Sequence, residues 1–195
     1  MPPKIRISKE EIGRQAFELV RRQGIDALTA KSLARALNCS TQPIFWWFGT
    51  MQEVTDCVIR QAKNLFAEYV RRSDADSHAF KAIGLNYIAF AKDEKELFKL
   101  LFMRRRADAA DTPDIVNSEE NSPFILEAVR AESGLSEDDA KRVFRELWLF
   151  SHGIATMIAT ATADFGDRAI RQMLSDVYRG VLLHIESTGD RSDRR

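Results

Sequence analysis

The sequence is poor in the residues that build disulfide frameworks, metal sites and glycine-rich nucleotide loops. It has two cysteines, three histidines and nine glycines among 195 residues. Two cysteines are too few for a disulfide framework or a zinc site, so we expect Cys39 and Cys57 to be free, partly buried thiols. The sequence has no nucleotide-binding glycine loop, His-Glu-xx-His zinc helix or serine elbow. These absences predict a protein that holds no metal or cofactor and is not an enzyme.

Long apolar runs are also absent. No segment approaches the roughly 18 apolar residues that a membrane span needs, and the opening MPPKIRISKEE lacks the apolar core of a signal peptide. Hydrophobic residues still make up 45% of the chain, enough for one large domain or for two small ones that share a core. We therefore expect a soluble, cytoplasmic protein that does not associate with membranes.

The formal net charge is zero, which taken alone argues against a nucleic-acid binder. The charge is unevenly distributed, however. Residues 1–50 carry eight Lys or Arg against four Asp or Glu, a local charge of +4 that leaves −4 for the remainder. Because attraction to phosphate depends on the local field, a basic N-terminal region on an acidic body is compatible with DNA binding.

Capping residues and helical spacing predict an all-α fold of about nine helices. Ser8 and Glu11 form a capping box that starts a helix to about Gln23, and Gly24 can end it. Thr50 can cap a long helix that ends near Arg72. Further helices are expected over 77–91, 94–106 and 123–132, from Ser136 to about Thr162, and from Asp167 to about Ser187. No alternating strands interrupt them.

Residues 28–54, LTAKSLARALNCSTQPIFWWFGTMQEV, are predicted to form two short helices joined by a tight turn. Thr29 can cap the first helix. Asn38 tolerates left-handed backbone, and Ser40 can cap a second helix that runs from Thr41 to about Trp47. A helix-turn-helix that presents the first turn of its second helix can enter the DNA major groove. The spacing alone favours the other interpretation, an ordinary helical hairpin within an all-helical core.

A longer pattern resembles the DNA-binding domain of tetracycline-repressor-like (TetR family) transcription regulators. Its residues are Ile12-xxx-Ala16-xx-Leu19, Gly24 and Thr29-xxx-Leu33-Ala34-xx-Leu37-xx-Ser40-xxx-Ile44-Phe45-xx-Phe48. The resemblance covers about residues 8–54. In addition, Trp148-xxx-His152-Gly153 is similar to a Trp-His-Gly feature of one C-terminal subgroup of the family.

The resemblance implies a homodimeric regulator. Residues 1–53 would form a three-helix DNA-binding domain, residues 54–187 a helical bundle for ligand binding and dimerisation, and residues 188–195 a polar tail. The last two helices carry more apolar surface than one subunit is expected to cover, which also favours a dimer. The expected function is repression: the dimer occupies a palindromic operator and a small, mostly apolar effector releases it. Activation is not excluded by the sequence.

The DNA-binding residues are expected in and around the second short helix. Thr41 and Gln42 suit base edges, because Gln can pair with adenine and the Thr methyl can pack on thymine. The full predicted set is Thr29, Lys31, Ser40, Thr41, Gln42, Pro43, Phe45 and Trp46. Phe45 and Trp46 stand where the family commonly has Tyr and His, and Met51 replaces a frequent lysine. These departures remove phosphate anchors and predict weaker or more salt-sensitive DNA binding.

The effector site implied by the resemblance is lined by aromatic or adaptable residues of the middle helices. The candidates are Tyr87, Phe90, Phe98, Phe102, Trp148, His152 and Met157. Aromatic residues at helical spacing are also what an ordinary core contains, so each candidate has a purely structural alternative. Trp148 and His152 carry the sharpest signal, because residues four apart share a helix face.

Two functions of other classes remain open at this level. An all-helical dimeric partner-binding protein that has lost strong DNA affinity would keep the dimer without salt-dependent DNA binding. An all-α enzyme with a buried apolar pocket would need catalytic groups that converge there, and turnover would survive removal of residues 1–50.

Overall fold

A computed structural model of the chain describes residues 7–72, 79–104 and 122–192. Throughout these ranges the fold is helical, with nine α-helices, one 3-10 turn and no strand, which confirms the predicted all-α class. The helices are α1 (Lys9–Gln23), α2 (Ala30–Ala36), α3 (Gln42–Phe48), α4 (Met51–Val70), α5 (Ala79–Asp93), α6 (Lys95–Phe102), α7 (Ser122–Ser133), α8 (Glu137–Ala159) and α9 (Asp167–Ser192), with the 3-10 turn at Ile25–Ala27. Residues 1–6 of the predicted DNA-binding domain and 193–195 of the predicted tail lie outside the described residues.

Side-chain caps begin several helices where the sequence predicts them. The Ser8 hydroxyl accepts a hydrogen bond from the Glu11 N–H at 3.1 Å at the start of α1. Ser136 accepts one from Asp139 at 3.2 Å at the start of α8. Each such cap stabilises its helix by about 1 kcal/mol because it satisfies a backbone N–H that has no partner within the helix.

Several helix ends differ from the expected positions. α5 ends at Asp93, two residues late, and α6 ends at Phe102, four residues early. α4 ends at Val70 and α8 at Ala159, each two or three residues early. α9 extends to Ser192, so residues 188–192 continue the helix instead of starting a tail after Ser187. Gly189 lies within this segment. A glycine lowers the stability of a helix by only about 1 kcal/mol relative to alanine, which an established helix tolerates.

The first compact unit consists of the described parts of Met1–Phe66 together with Glu94–Arg104. Within it, α1 contacts α2, α3 and α6. The core residues are apolar and are fully or almost fully buried: Ile12, Ala16, Val20, Leu33, Ile44, Phe48, Val54, Val58, Leu97 and Phe98. The unit therefore joins the predicted helix-turn-helix to α6, which lies about forty residues further along the chain.

The second unit consists of the described parts of Ala67–Asp93 and Arg105–Arg195. α5 contacts α7, α8 and α9, and α8 contacts α7 and α9, which makes a helical bundle. Its buried residues include Tyr87, Ile88, Phe90, Val129, Val143, Phe144, Ile154 and Leu174. These packing units do not follow the predicted functional limits at 53/54 and 187/188, which remain predictions about function.

Candidate nucleic-acid interface and ligand site

α2 is fixed at its start by a reciprocal capping box. The Thr29 hydroxyl accepts from the Ser32 N–H at 3.1 Å, and the Thr29 N–H donates to the Ser32 hydroxyl at 3.0 Å. Leu33 and Ala34 anchor the helix in the core, while the Lys31 side chain is exposed. The helix thus holds a cation and the capped Thr29 at the surface on a rigid base.

The turn after α2 has the left-handed residue that the sequence predicts. Asn38 has a φ of +51°, a conformation that asparagine tolerates better than most residues. The expected cap by Ser40 is wrong, because within the described chain no side-chain hydrogen bond caps α3. The N-cap position of α3 is Thr41, with φ −73° and ψ −16°, so Ser40 lies one residue before the cap. Pro43 lacks an N–H, which leaves one fewer donor to satisfy.

α3 divides its seven residues between the core and the surface. Ile44 and Phe48 are 0% and 2% exposed and hold the helix in place, whereas Phe45, Trp46 and Trp47 are 43%, 88% and 49% exposed. The Trp47 indole N–H donates to the Ile7 carbonyl at 2.9 Å. This bond fastens the chain ahead of α1 to α3. Sequence reasoning missed it, because no local signal links residues forty positions apart.

The eight predicted DNA-binding residues all lie on α2, on α3 or in the segments that begin them, and none is buried. Thr41 and Pro43 are half-buried; Thr29, Lys31, Ser40, Gln42, Phe45 and Trp46 are exposed. The structure thus presents hydroxyls, one cation, one amide and aromatic faces on a short, rigidly seated segment. Such a surface can form hydrogen bonds and apolar contacts with a partner.

In the second unit, three of the predicted ligand residues come together between α5 and α8. The Tyr87 hydroxyl and His152 Nδ1 are hydrogen-bonded at 2.9 Å. The His152 ring stacks on Trp148 with 4.7 Å between centroids and 6° between planes. Burial lowers the pKa of His152 below its ordinary value, which favours a neutral imidazole. The cluster is therefore a polar, uncharged feature within a mostly apolar bundle.

The other four predicted ligand residues have other described neighbours or are exposed. Phe90 packs edge-on against Tyr69, with ring centroids 5.3 Å apart. Phe98 and Phe102 lie in the first unit, where the Phe102 ring is 5.1 Å from that of Phe98. Met157 is 45% exposed. Helical spacing sorts residues onto faces but does not reveal which element covers a face, so the part of these four residues in a ligand site stays a prediction.

Thr156 extends the cluster along α8, and sequence reasoning missed it. It lies four residues after His152, hence on the same helix face. Its hydroxyl oxygen is buried and, among the described residues, has no hydrogen-bond partner. The spacing Trp148, His152, Thr156 was visible in the sequence, but the burial of the hydroxyl was not. At Gly153 a Cβ would meet no atom of the described chain within 4 Å.

The described residues hold no group of three His, Cys, Asp or Glu that could bind a metal ion. None of the helices within the described ranges is long and apolar enough to cross a membrane.

Comparisons with known proteins point to one family. A family model described as the tetracyclin repressor-like C-terminal domain matches residues 80–177. Comparison with curated protein sequences gives no match. Similar solved structures include a protein with unknown function from Rhodococcus sp. RHA1, with 21% identity, a TM-score of 0.66, and 91% of this chain and 95% of that chain covered.

Two further structures carry the family's name. A TetR-family member from Streptomyces coelicolor A3 has 16% identity and a TM-score of 0.54, over 89% of this chain and 98% of that chain. A TetR variant from Acinetobacter baumannii AYE, in complex with minocycline, has 14% identity and a TM-score of 0.55, over 93% of this chain and 97% of that chain. At these identities the three structures establish a shared fold.

Proposed function

The chain belongs to the tetracycline-repressor-like family, whose C-terminal domain spans about half of its length, and from that premise we propose that it is a DNA-binding transcriptional regulator and not an enzyme. The proposed output is repression. A homodimer occupies a palindromic operator, and a small, mostly apolar effector releases it by favouring a conformation that fits the operator poorly.

The observation that carries this proposal is the exposed first turn of α3 on a well-anchored helix. Ile44 and Phe48 hold α3 in the core, which leaves Gln42 exposed and Thr41 half-buried beside it. We propose that Gln42 pairs with adenine and that the Thr41 methyl packs on thymine. Thr29, Lys31 and Ser40, exposed on and around α2, are proposed to bind phosphates. Pro43, Phe45 and Trp46 would add apolar contacts.

The proposed effector site is centred on Tyr87, Trp148 and His152. A few polar groups set in an apolar bundle are the usual composition of a small-molecule site, and the buried Thr156 hydroxyl offers a further hydrogen bond. The related A. baumannii protein was obtained in complex with minocycline, which supports a small-molecule effector here. Phe90, Phe98, Phe102 and Met157 stay predictions as ligand residues: Phe90 contacts Tyr69, Phe98 contacts Phe102, and Met157 is 45% exposed.

The proposed dimer uses α8 and α9, the two longest helices. Leu149 and Met157 on α8 are 52% and 45% exposed, and Leu183 on α9 is 65% exposed. A second copy packed against these helices would bury such side chains in a symmetric, self-complementary interface. Dimerisation would also present two α3 helices to the two halves of a palindrome.

Binding of the purified full chain to its own upstream DNA tests this function. We expect saturable binding in fluorescence anisotropy, with a scrambled duplex competing poorly. The affinity should fall steeply between about 50 and about 300 mM salt, because Lys and Arg side chains that bind phosphates displace counterions from the DNA. If the protein does not bind its upstream DNA, a selection from genomic fragments follows, since the target can lie elsewhere in the genome.

Recovery of no specific duplex from either experiment would contradict the proposed function. The partner-binding alternative would then be favoured, because the exposed aromatic face of α3 would need another occupant.

A further inference from the structure

The recognition surface of α3 lacks every ionisable side chain. Its sequence is Gln-Pro-Ile-Phe-Trp-Trp-Phe, from Gln42 to Phe48. Arg or Lys is the usual partner of guanine O6 and N7, and Asp or Glu is the usual partner of the cytosine amino group. Because α3 offers neither kind of side chain, this helix cannot make the common charged contacts that specify G·C pairs.

What α3 does offer is a concentrated aromatic surface. Three of the seven exposed large hydrophobic side chains among the described residues lie on this one helix. Trp46 is the most exposed of them at 88%. Trp47 differs, because its indole N–H is already bonded to the Ile7 carbonyl. Phe45 and Trp46 are therefore the residues of α3 best placed to contact a partner through an apolar face.

In the major groove, the apolar group that distinguishes one base pair from another is the C5-methyl of thymine. We infer that Trp46, assisted by Phe45, is a specificity-determining residue that recognises thymine methyl groups, so that the bases under α3 are A·T pairs. The inference rests on the proposed function. It is consistent with Gln42, whose amide is suited to adenine, the partner of thymine.

Charge attraction and base recognition are then separated on this surface. Lys31 and Arg35 on α2 are exposed cations that suit phosphates, whereas α3 itself is neutral. Phosphate contacts position a protein but do not distinguish bases. Removing a methyl should consequently change affinity without changing its salt dependence.

The test begins with the best duplex that the full chain selects from a random-sequence library. Each thymine in a half-site is replaced in turn by deoxyuridine, which lacks only the C5-methyl. A second series compares cytosine with 5-methylcytosine at the same positions, which adds the methyl to a different base. We expect about fourfold weaker binding for each contacted methyl that is lost, and a similar gain where a methyl is added to cytosine.

Two protein variants assign the effect to a side chain. Trp46→Ala should reduce the preference for thymine over deoxyuridine to less than about twofold at one or more positions, since the aromatic contact is gone. Met103→Ala is the matched control, because Met103 is an exposed hydrophobic residue of the same unit that lies outside α3. Both sites are exposed, so both variants should fold, which thermal unfolding checks.

Three results would overturn the inference. Selected half-sites without A·T pairs, equal affinity for thymine and deoxyuridine, or an unchanged methyl preference in Trp46→Ala would each do so while specific DNA binding persists. Recovery of no duplex at all would instead overturn the proposed function together with the inference.

Discussion

His152 combines three features that are visible at the scale of a single residue. Its ring stacks on Trp148, its Nδ1 is hydrogen-bonded to the Tyr87 hydroxyl at 2.9 Å, and burial lowers its pKa. A histidine with an ordinary pKa near 6.5 changes charge close to neutral pH. In the folded chain, His152 therefore stays neutral at a pH where the same side chain in the unfolded chain binds a proton.

This difference predicts how stability depends on pH. The folded state binds the proton less readily than the unfolded state, so the contribution of His152 is fully present above about pH 6.5 and is lost as the pH falls below it. We expect the free energy of unfolding to fall between about pH 7.5 and about pH 5.5 by less in His152→Gln than in the wild type. Urea denaturation at a fixed protein concentration measures this free energy at each pH.

Gln23→Ala provides the control for that measurement, since Gln23 is exposed and its side chain does not titrate. Gln23→Ala should keep the pH-dependent loss of the wild type. If the free energy of unfolding falls equally in the wild type and in His152→Gln, the burial of His152 does not change proton binding on folding, which would contradict this prediction.

At the scale of elements, one ion pair joins α1 to the N-cap residue of α6. The Arg21 guanidinium donates to both carboxylate oxygens of Glu94, with 2.7 Å from Nε to Oε2. The Glu94 side chain is 4% exposed and that of Arg21 is 40% exposed. The hydrogen bond to Glu94 is also the main reason that the pKa of Arg21 is raised. The buried member of the pair is thus the carboxylate, which needs its partner more than Arg21 does.

Arg21→Ala should therefore destabilise the protein by about 2–3 kcal/mol, because it leaves a buried charge unpaired; the partial exposure of Arg21 keeps the loss below that of a fully buried pair. The matched control is Arg22→Ala. Arg22 is 76% exposed and lies 3.7 Å from Glu18, so we expect a loss of less than about 0.5 kcal/mol. Equal losses in chemical denaturation of the two variants would contradict this role for the pair.

The helices themselves were predictable because their signals are local. Ser8, Thr29, Asn38 and Ser136 each act on backbone within a few residues, and each does in the structure what its chemistry predicts. The predictions that failed involve partners distant in sequence or a cap position displaced by one residue. The Ser40 cap fails because the N-cap position belongs to Thr41, and no spacing rule indicates that α6 packs with α1.

The candidate sites show the same contrast between local signals and partners that are distant in sequence. The surface of α2 and α3 lies within one short segment, so its exposed residues could be proposed from the sequence. The ligand cluster joins α5 to α8 across 65 residues, and periodicity alone could not separate Tyr87 from Phe98, which packs in the other unit. The bond from Trp47 to Ile7 was beyond prediction for the same reason.

At the scale of the whole molecule, the two units carry different proposed tasks. The proposed DNA surface belongs to the first and the proposed effector cluster to the second. An effector can change operator affinity only through a conformational difference between the free and bound chain, and by no more than its own difference in affinity for the two conformations. In a dimer bound to a palindrome, each α3 substitution is present in both half-sites, so its change in binding free energy occurs twice.

The most direct test of the central claim is the effect of Gln42→Ala on operator affinity. We predict at least tenfold weaker binding to the selected operator, since each half-site loses a contact worth about 1–3 kcal/mol, with unchanged binding to a scrambled duplex. Gln23→Ala, at an exposed glutamine outside α3, should bind like the wild type. Operator affinity that is the same in Gln42→Ala and the wild type would contradict recognition of DNA by the first turn of α3.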